Sequence, residues 1–103
     1  MNERVDFPTI NAAAYRALPL ILMRWLPDGK RHGCEFIAKN PTRADANPGS
    51  FSINRLTGKW SDFATGDRGG DPISLAAYLF GLSQVDAARR IADMLGVRCE
   101  AQR

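Results

Sequence analysis

The hydrophobic period of this chain changes at Thr65, and that change dictates what kind of architecture the sequence can build. Before it, residues 50–55 alternate: Phe51 and Ile53 fall to one side, and Ser50, Ser52 and Asn54 to the other. That is the two-residue repeat of a half-buried strand. After it, Val85, Ala88, Ile91, Ala92 and Leu95 recur at helical spacing. Gly58 separates Phe51–Asn54 from a second β-like stretch, Lys59-Trp60-Ser61-Asp62-Phe63-Ala64, and sits where a short hairpin loop requires positive φ. The run Gly66-Asp67-Arg68-Gly69-Gly70 reads as a flexible loop. Asp71-Pro72 then reads as an N-cap followed by a helix-starting proline. A helix over 72–80 stops at Gly81, and Ser83 caps a second helix, with Asp86 in its first turn, that Gly96 ends.

The N-terminal third is helical by the same criteria. Ala14, Leu18, Ile21, Leu22 and Trp25 share a face, and Thr9 or Asn11 offers an N-cap. Pro19 does not fit a helix interior, so the pattern predicts two short helices, 9–17 and 19–26, meeting at Leu18. The segment 26–30 is a Pro/Gly turn, and residues 34–39 form a strand bounded by Gly33 and Asn40-Pro41. At 103 residues the chain has room for one domain. Its large core candidates are Trp25, Phe36, Phe51, Trp60, Phe63, Tyr78 and Phe80. The longest apolar run, 17–23, holds Pro19 and falls far short of the ~20 residues of a membrane span. With Glu3 and Asp6 in place of a secretory signal, the expected compartment is the cytoplasm.

Charge is uneven. Residues 24–59 hold seven Lys/Arg against three Asp/Glu, whereas the remainder holds seven against eight. This basic segment is interleaved with aromatic and small polar residues, a pattern suited to phosphates and stacked bases as well as to plain solvation. Trp60 has two uses open to it, core packing or base stacking. Other chemistry is poorly supported. The glycine-rich loop lacks the Gly-Lys-Ser/Thr of a P-loop, and Asp71 would repel phosphate. Asp62, Asp67 and Asp71 could hold magnesium, but each has a simpler job as strand end, turn former or helix cap. His32, Cys34 and Cys99 include no Cys-x-x-Cys pair, so neither a zinc site nor a disulfide framework is expected. The lone histidine has no arguable nucleophile partner.

In order along residues 33–96, the chain carries Asn40-Pro41-Thr42-Arg43, Pro48-Gly49-Ser50-Phe51-Ser52-Ile53 and Gly58. Trp60-Ser61-Asp62-Phe63-Ala64-Thr65-Gly66, Gly69-Gly70-Asp71 and Gly81-Leu82-Ser83 follow. This series resembles the zinc-binding N-terminal domain of bacterial and phage DNA primases. That family reads Cys-Pro-x-His, a Pro-Ser-Phe strand, a glycine hairpin, an aromatic before Cys-Phe-x-Cys-Gly, a Gly-Gly-Asp turn and a helix pair. The resemblance puts Asn40, Arg43, Asp62 and Thr65 at the four zinc-ligand positions, and arginine cannot ligate zinc. It implies a degenerate zinc-ribbon-like domain without metal, as at the start of Toprim or helicase-primase proteins of plasmids, phages and integrated elements. Residues 1–32 have no counterpart in the zinc domain, and their helices with Trp25 are candidates for the added core.

The expectation is therefore a single α+β domain in four parts. An N-terminal helical extension (1–32) leads into a β core (33–66) that forms a small antiparallel sheet. A glycine loop and helix pair (67–96) and a frayed tail (97–103) follow, with both C-terminal helices against one sheet face. The resemblance implies a non-catalytic module with no cofactor that binds single-stranded DNA, or RNA, in replication or element mobilisation. Lys39, Arg43, Arg55, Lys59, Trp60 and Arg68 are the candidate contacts, Arg43 being released from its former ligand role into a cationic stripe. The alternative is a protein-interaction module docking a helicase, a primase or a host factor.

Overall fold

A computed structural model of the chain describes residues 4–43 and 49–100. The landmark at Pro48 and the tail beyond residue 100 lie outside the described residues. The order of elements is α1 (Phe7–Arg16), α2 (Leu18–Trp25), β1 (Lys30–His32), β2 (Glu35–Ala38), β3 (Phe51–Asn54), β4 (Trp60–Asp62), β5 (Arg68–Gly69), α3 (Pro72–Phe80) and α4 (Gln84–Leu95). The five strands form one antiparallel sheet in sequential order, so the fold is α+β. No helix among the described residues is long and apolar enough to cross a membrane.

Helix ends follow local chemistry. Asp71 and Ser74 form a reciprocal capping box at the start of α3, and Ser83 accepts the Asp86 N–H at the start of α4. Gly81 (φ 64°) and Gly96 (φ 69°) end these helices in the left-handed conformation that glycine adopts without a Cβ penalty. At α1 the cap is Asp6, not Thr9 or Asn11: its carboxylate accepts the Thr9 N–H at 3.2 Å. The Asn11 side chain instead accepts the Ile73 N–H at 3.2 Å, tying α1 to one of the otherwise unpaired donors of α3. Pro19 breaks the helical run as expected, with the junction at Ala17. Residues 97–100 are not frayed: the Asp6 N–H donates to the Cys99 carbonyl at 2.9 Å, and Val5 pairs with Glu100.

Two cores share the molecule. One lies between the helices: Ile10 and Ala14 of α1, Ile21 of α2, Ile73 and Ala76 of α3, and Ala87, Ala88, Ile91 and Ala92 of α4. The other lies between the sheet and two helices. Leu18, Leu22 and Leu26 come from α2 and the turn after it, and Leu75 comes from α3. They cover Phe36, Ala38, Phe51, Ile53 and Trp60. The sheet is thus covered by α2 and α3, while α4 packs on α1 and α3 in the helical core, which corrects the expectation that both C-terminal helices lie on the sheet. On α4, Ala87 is buried and Val85 stands 40% exposed. Phe63, 82% exposed, and Phe80, 46% exposed, are surface residues and not core ones.

Candidate nucleic-acid interface

Strand pairing divides the sheet's side chains into two faces, since neighbours across antiparallel strands point the same way. The covered face carries the rows Arg31, Phe36, Ile53, Trp60, Gly69 and Ala38, Phe51, Asp62. The opposite face carries the row Lys30, Ile37, Ser52, Ser61, Arg68. Beside it runs a second row, His32, Glu35, Asn54. Lys59 extends that row, because the Asn54 N–H donates to its carbonyl at 2.7 Å. At the other end, Lys39 follows Ala38, and the Phe63 N–H donates to the Ser50 carbonyl at 2.9 Å, continuing the ladder by one step.

The side chains of this second face are half-buried or exposed, and no buried residue belongs to it. Its centre is a floor of Ser52, Ser61 and Asn54, which with Glu35, Lys59, Trp60, Arg68 and Gly69 lines a shallow hollow of about 290 Å³. Lys30 and Arg68 stand at the two ends of one row and Lys59 at the end of the next. Glu35 is the acid on these rows, and its Oε2 accepts from Asn54 Nδ2 at 3.2 Å. Chemically the face offers cations at its margins and hydroxyl and amide groups between them, an arrangement that can hold phosphates outside and base or sugar edges inside.

The six candidate contacts separate in space. Lys59 and Arg68 are exposed cations at the free face, and Lys39 is exposed one residue past the end of β2. Arg55, at the hairpin end, donates from Nη1 to the Gly33 carbonyl at 2.7 Å and holds the β1–β2 turn. Trp60 is only 5% exposed, packed against Tyr78 on the covered face with ring centroids 4.5 Å apart. Its Nε1 donates to Ser74 Oγ at 3.0 Å, so this ring cannot stack on a base. That bond depends on Gly69, where a Cβ would come within 2.5 Å of both Ser74 Oγ and Trp60 Nε1. Within the loop expected to be flexible, Arg68–Gly69 instead form a short edge strand, β5, pressed onto Trp60. Beside this face, the exposed aromatic that sequence reasoning missed is Phe63. Alternation along 59–64 contained the signal, since Trp60 and Phe63 fall on opposite sides of the strand.

Arg43 is not released either. Asp62, expected at the strand-end surface, is 1% exposed, and its carboxylate gathers four donors. Asn40 Nδ2 reaches Oδ2 at 2.8 Å, Arg43 Nε reaches Oδ2 at 3.2 Å and Nη2 reaches Oδ1 at 3.3 Å, and the Ala64 N–H reaches Oδ1 at 2.8 Å. Burial pushes the Asp62 pKa up, but the Asn40 and Arg43 hydrogen bonds, helped by Ala64 and Ser50, outweigh it and hold the carboxyl at about 2. Asn40 also donates to Tyr78 Oη at 2.8 Å, whose hydroxyl donates to Asp67 Oδ2 at 2.8 Å. Arg43 Nη2 reaches Ser50 Oγ at 3.0 Å. Buried Asn40 thus links the turn after β2 to the turn after β4, and Thr65 lies in the latter, its N–H donating to the Asp62 carbonyl at 3.3 Å. No group of three or more His, Cys, Asp or Glu placed to hold a metal ion occurs among the described residues, so Asp62, Asp67 and Asp71 do not gather. Asp71 is spent on the α3 cap.

Comparison with known proteins identifies no relative: no family model matches the chain, and no curated protein does.

Proposed function

We propose that the free face of the sheet binds single-stranded nucleic acid, making the protein a non-catalytic binding module of a primase-like replication or mobile-element protein. One observation carries this reading. The uncovered face places Lys30, Lys59 and Arg68 around a floor of Ser52, Ser61 and Asn54, with exposed Phe63 one residue beyond β4. Cations supply sequence-independent affinity for phosphates, and the aromatic supplies a stacking surface for one base. An open, shallow hollow admits an extended strand more readily than it grips a small molecule, which usually needs an enclosed pocket. The primase-like part of the reading draws support from the two turns joined by Asn40, Arg43 and Asp62. The resemblance puts these residues at three of the four zinc-ligand positions, and here a hydrogen-bonded ion pair ties the turns.

Fluorescence anisotropy of a labelled single-stranded oligodeoxynucleotide across a salt series tests the reading. Removing one cation that neutralises a phosphate should lower the log–log salt slope by about 0.7, so Lys59→Ala with Arg68→Ala should lower it by about 1.4. Phe63→Ala should weaken binding by about 1–3 kcal/mol while leaving the slope in place. The same sequence as RNA and as duplex DNA sets the preference. No binding by the parent protein at low salt, or an unchanged slope in the double variant, would remove the free face from consideration.

A further inference from the structure

Behind the sheet, α2, α3 and α4 leave a groove of about 370 Å³ lined by Arg24, Trp25, Ala76, Phe80, Arg90 and Met94. Its floor is apolar and aromatic. Trp25 and Phe80 meet edge to face, with centroids 5.4 Å apart and planes at 86°, and Phe80 remains 46% exposed. The charge at the groove is of one sign: Arg24 and Arg90 are both exposed, and no acidic side chain lines it. Among the described residues neither guanidinium makes a salt bridge, although Asp86 and Asp93 lie within about a turn of Arg90 on α4. Trp, Phe, Met and Arg are residue types enriched at the centres of protein interfaces, and apolar surface rimmed by charge marks interaction sites.

We propose that this groove docks a short acidic amphipathic segment of a partner protein. One large apolar side chain would seat against Trp25, Phe80 and Met94, and carboxylates flanking it would pair with Arg24 and Arg90. The volume suits one such anchor. A nucleic acid would pair with the two arginines and stack a base on the rings but gain little from the aliphatic Ala76 and Met94, whereas an acidic segment with an apolar anchor uses the whole lining. A second copy of this chain is a poor occupant on charge, since the protein carries a net +3 and both groove charges are positive. None of the lining residues belongs to the sheet, so peptide and nucleic acid would occupy separate surfaces.

The test uses three short, blocked, dye-labelled peptides in fluorescence polarisation. The first has leucine and phenylalanine on one helical face and Asp/Glu elsewhere, the second replaces its acids by lysine, and the third replaces its apolar residues by serine. The first should bind saturably and the other two at least about tenfold more weakly. Arg24→Glu with Arg90→Glu should abolish binding of the first peptide and favour the second, while circular dichroism and the salt slope of oligonucleotide binding stay as in the parent. A reduced salt slope for the oligonucleotide in that variant would overturn the proposal in favour of a nucleic-acid site. Phe80→Ala should weaken the first peptide without reversing the charge preference. Equal binding of acidic and basic peptides, or no saturable binding of the acidic one, would overturn the proposal. Concentration-dependent self-association that Arg24→Glu with Arg90→Glu removes would overturn it in favour of a second copy. Because the oligonucleotide measurement is separate, failure here is distinct from failure of the sheet-face reading.

Discussion

Between α1, α3 and α4 the chain packs Ile10, Ile73 and Ile91 with alanines between them, and among the described residues no buried charged side chain belongs to these helices. At the far end of the sheet it buries instead a carboxylate and an amide, with one guanidinium partly covered: the Arg43 side chain is 34% exposed and that of Asp62 not at all. The helical core is held by removal of apolar surface from water, which neither pH nor salt changes much. The sheet end is held by an ion pair whose burial is tolerated because four donors surround the anion. Two regions of one small domain should therefore answer differently to the same perturbation.

The largest effect is expected in the helical core. Ile91→Ala should cost about 3 kcal/mol in urea unfolding, through reduced burial and the cavity left behind, and the cost should be the same at neutral and mildly acidic pH. A cost that grows in acid would mean the two regions are not separable. Next comes acid itself. The folded pKa of Asp62 lies below the ordinary aspartate value of 3.8, so the unfolded chain binds more protons between them. The stabilisation is present above that value and is lost as pH falls toward about 2. It amounts to about 2 kcal/mol at 1.4 kcal/mol per pH unit. Urea midpoints measured down a pH series should show this loss in the parent, and Asp62→Asn should flatten the slope while lowering neutral stability. A parallel slope in the variant would assign acid sensitivity to other carboxylates.

Where sheet and helices meet, Gly69→Ala should cost about 1–2 kcal/mol, because the added methyl must displace either the Trp60 ring or Ser74. The near-ultraviolet signal of Trp60 should change with it. The smallest effect is at Phe63: it neighbours the ion-paired end but is 82% exposed, so its replacement by alanine should move stability by less than about 0.5 kcal/mol. A larger loss would show that its ring supports the turn and not a ligand.

What could be read from the sequence was what is encoded locally. Asp71, Gly81, Ser83 and Gly96 mark helix ends through bonds to residues a few positions away, and Gly58, at φ 76°, marks the hairpin by its own backbone. β1 escaped notice because Lys30-Arg31-His32 has no apolar alternation, all three being exposed on an edge strand. β5 escaped because two residues in a glycine run carry no period, and its place is set by pairing with β4. For the candidate face, Lys59 and Arg68 were recognisable as cations. Their alignment with Lys30 depends on register across five strands. The bond between Arg43 and Asp62 joins positions 19 residues apart and leaves no short-range signature.

The edges of the sheet carry a consequence for how the molecule behaves at high concentration. One border is β1, three residues long and wholly basic or imidazole in side chain; the other is β5, two residues long with a glycine in it. A strand from a neighbouring molecule seeking to extend the ladder would meet repulsion on the first border and almost no length on the second. The open polar face can thus remain exposed without inviting the sheet to grow from one molecule into the next.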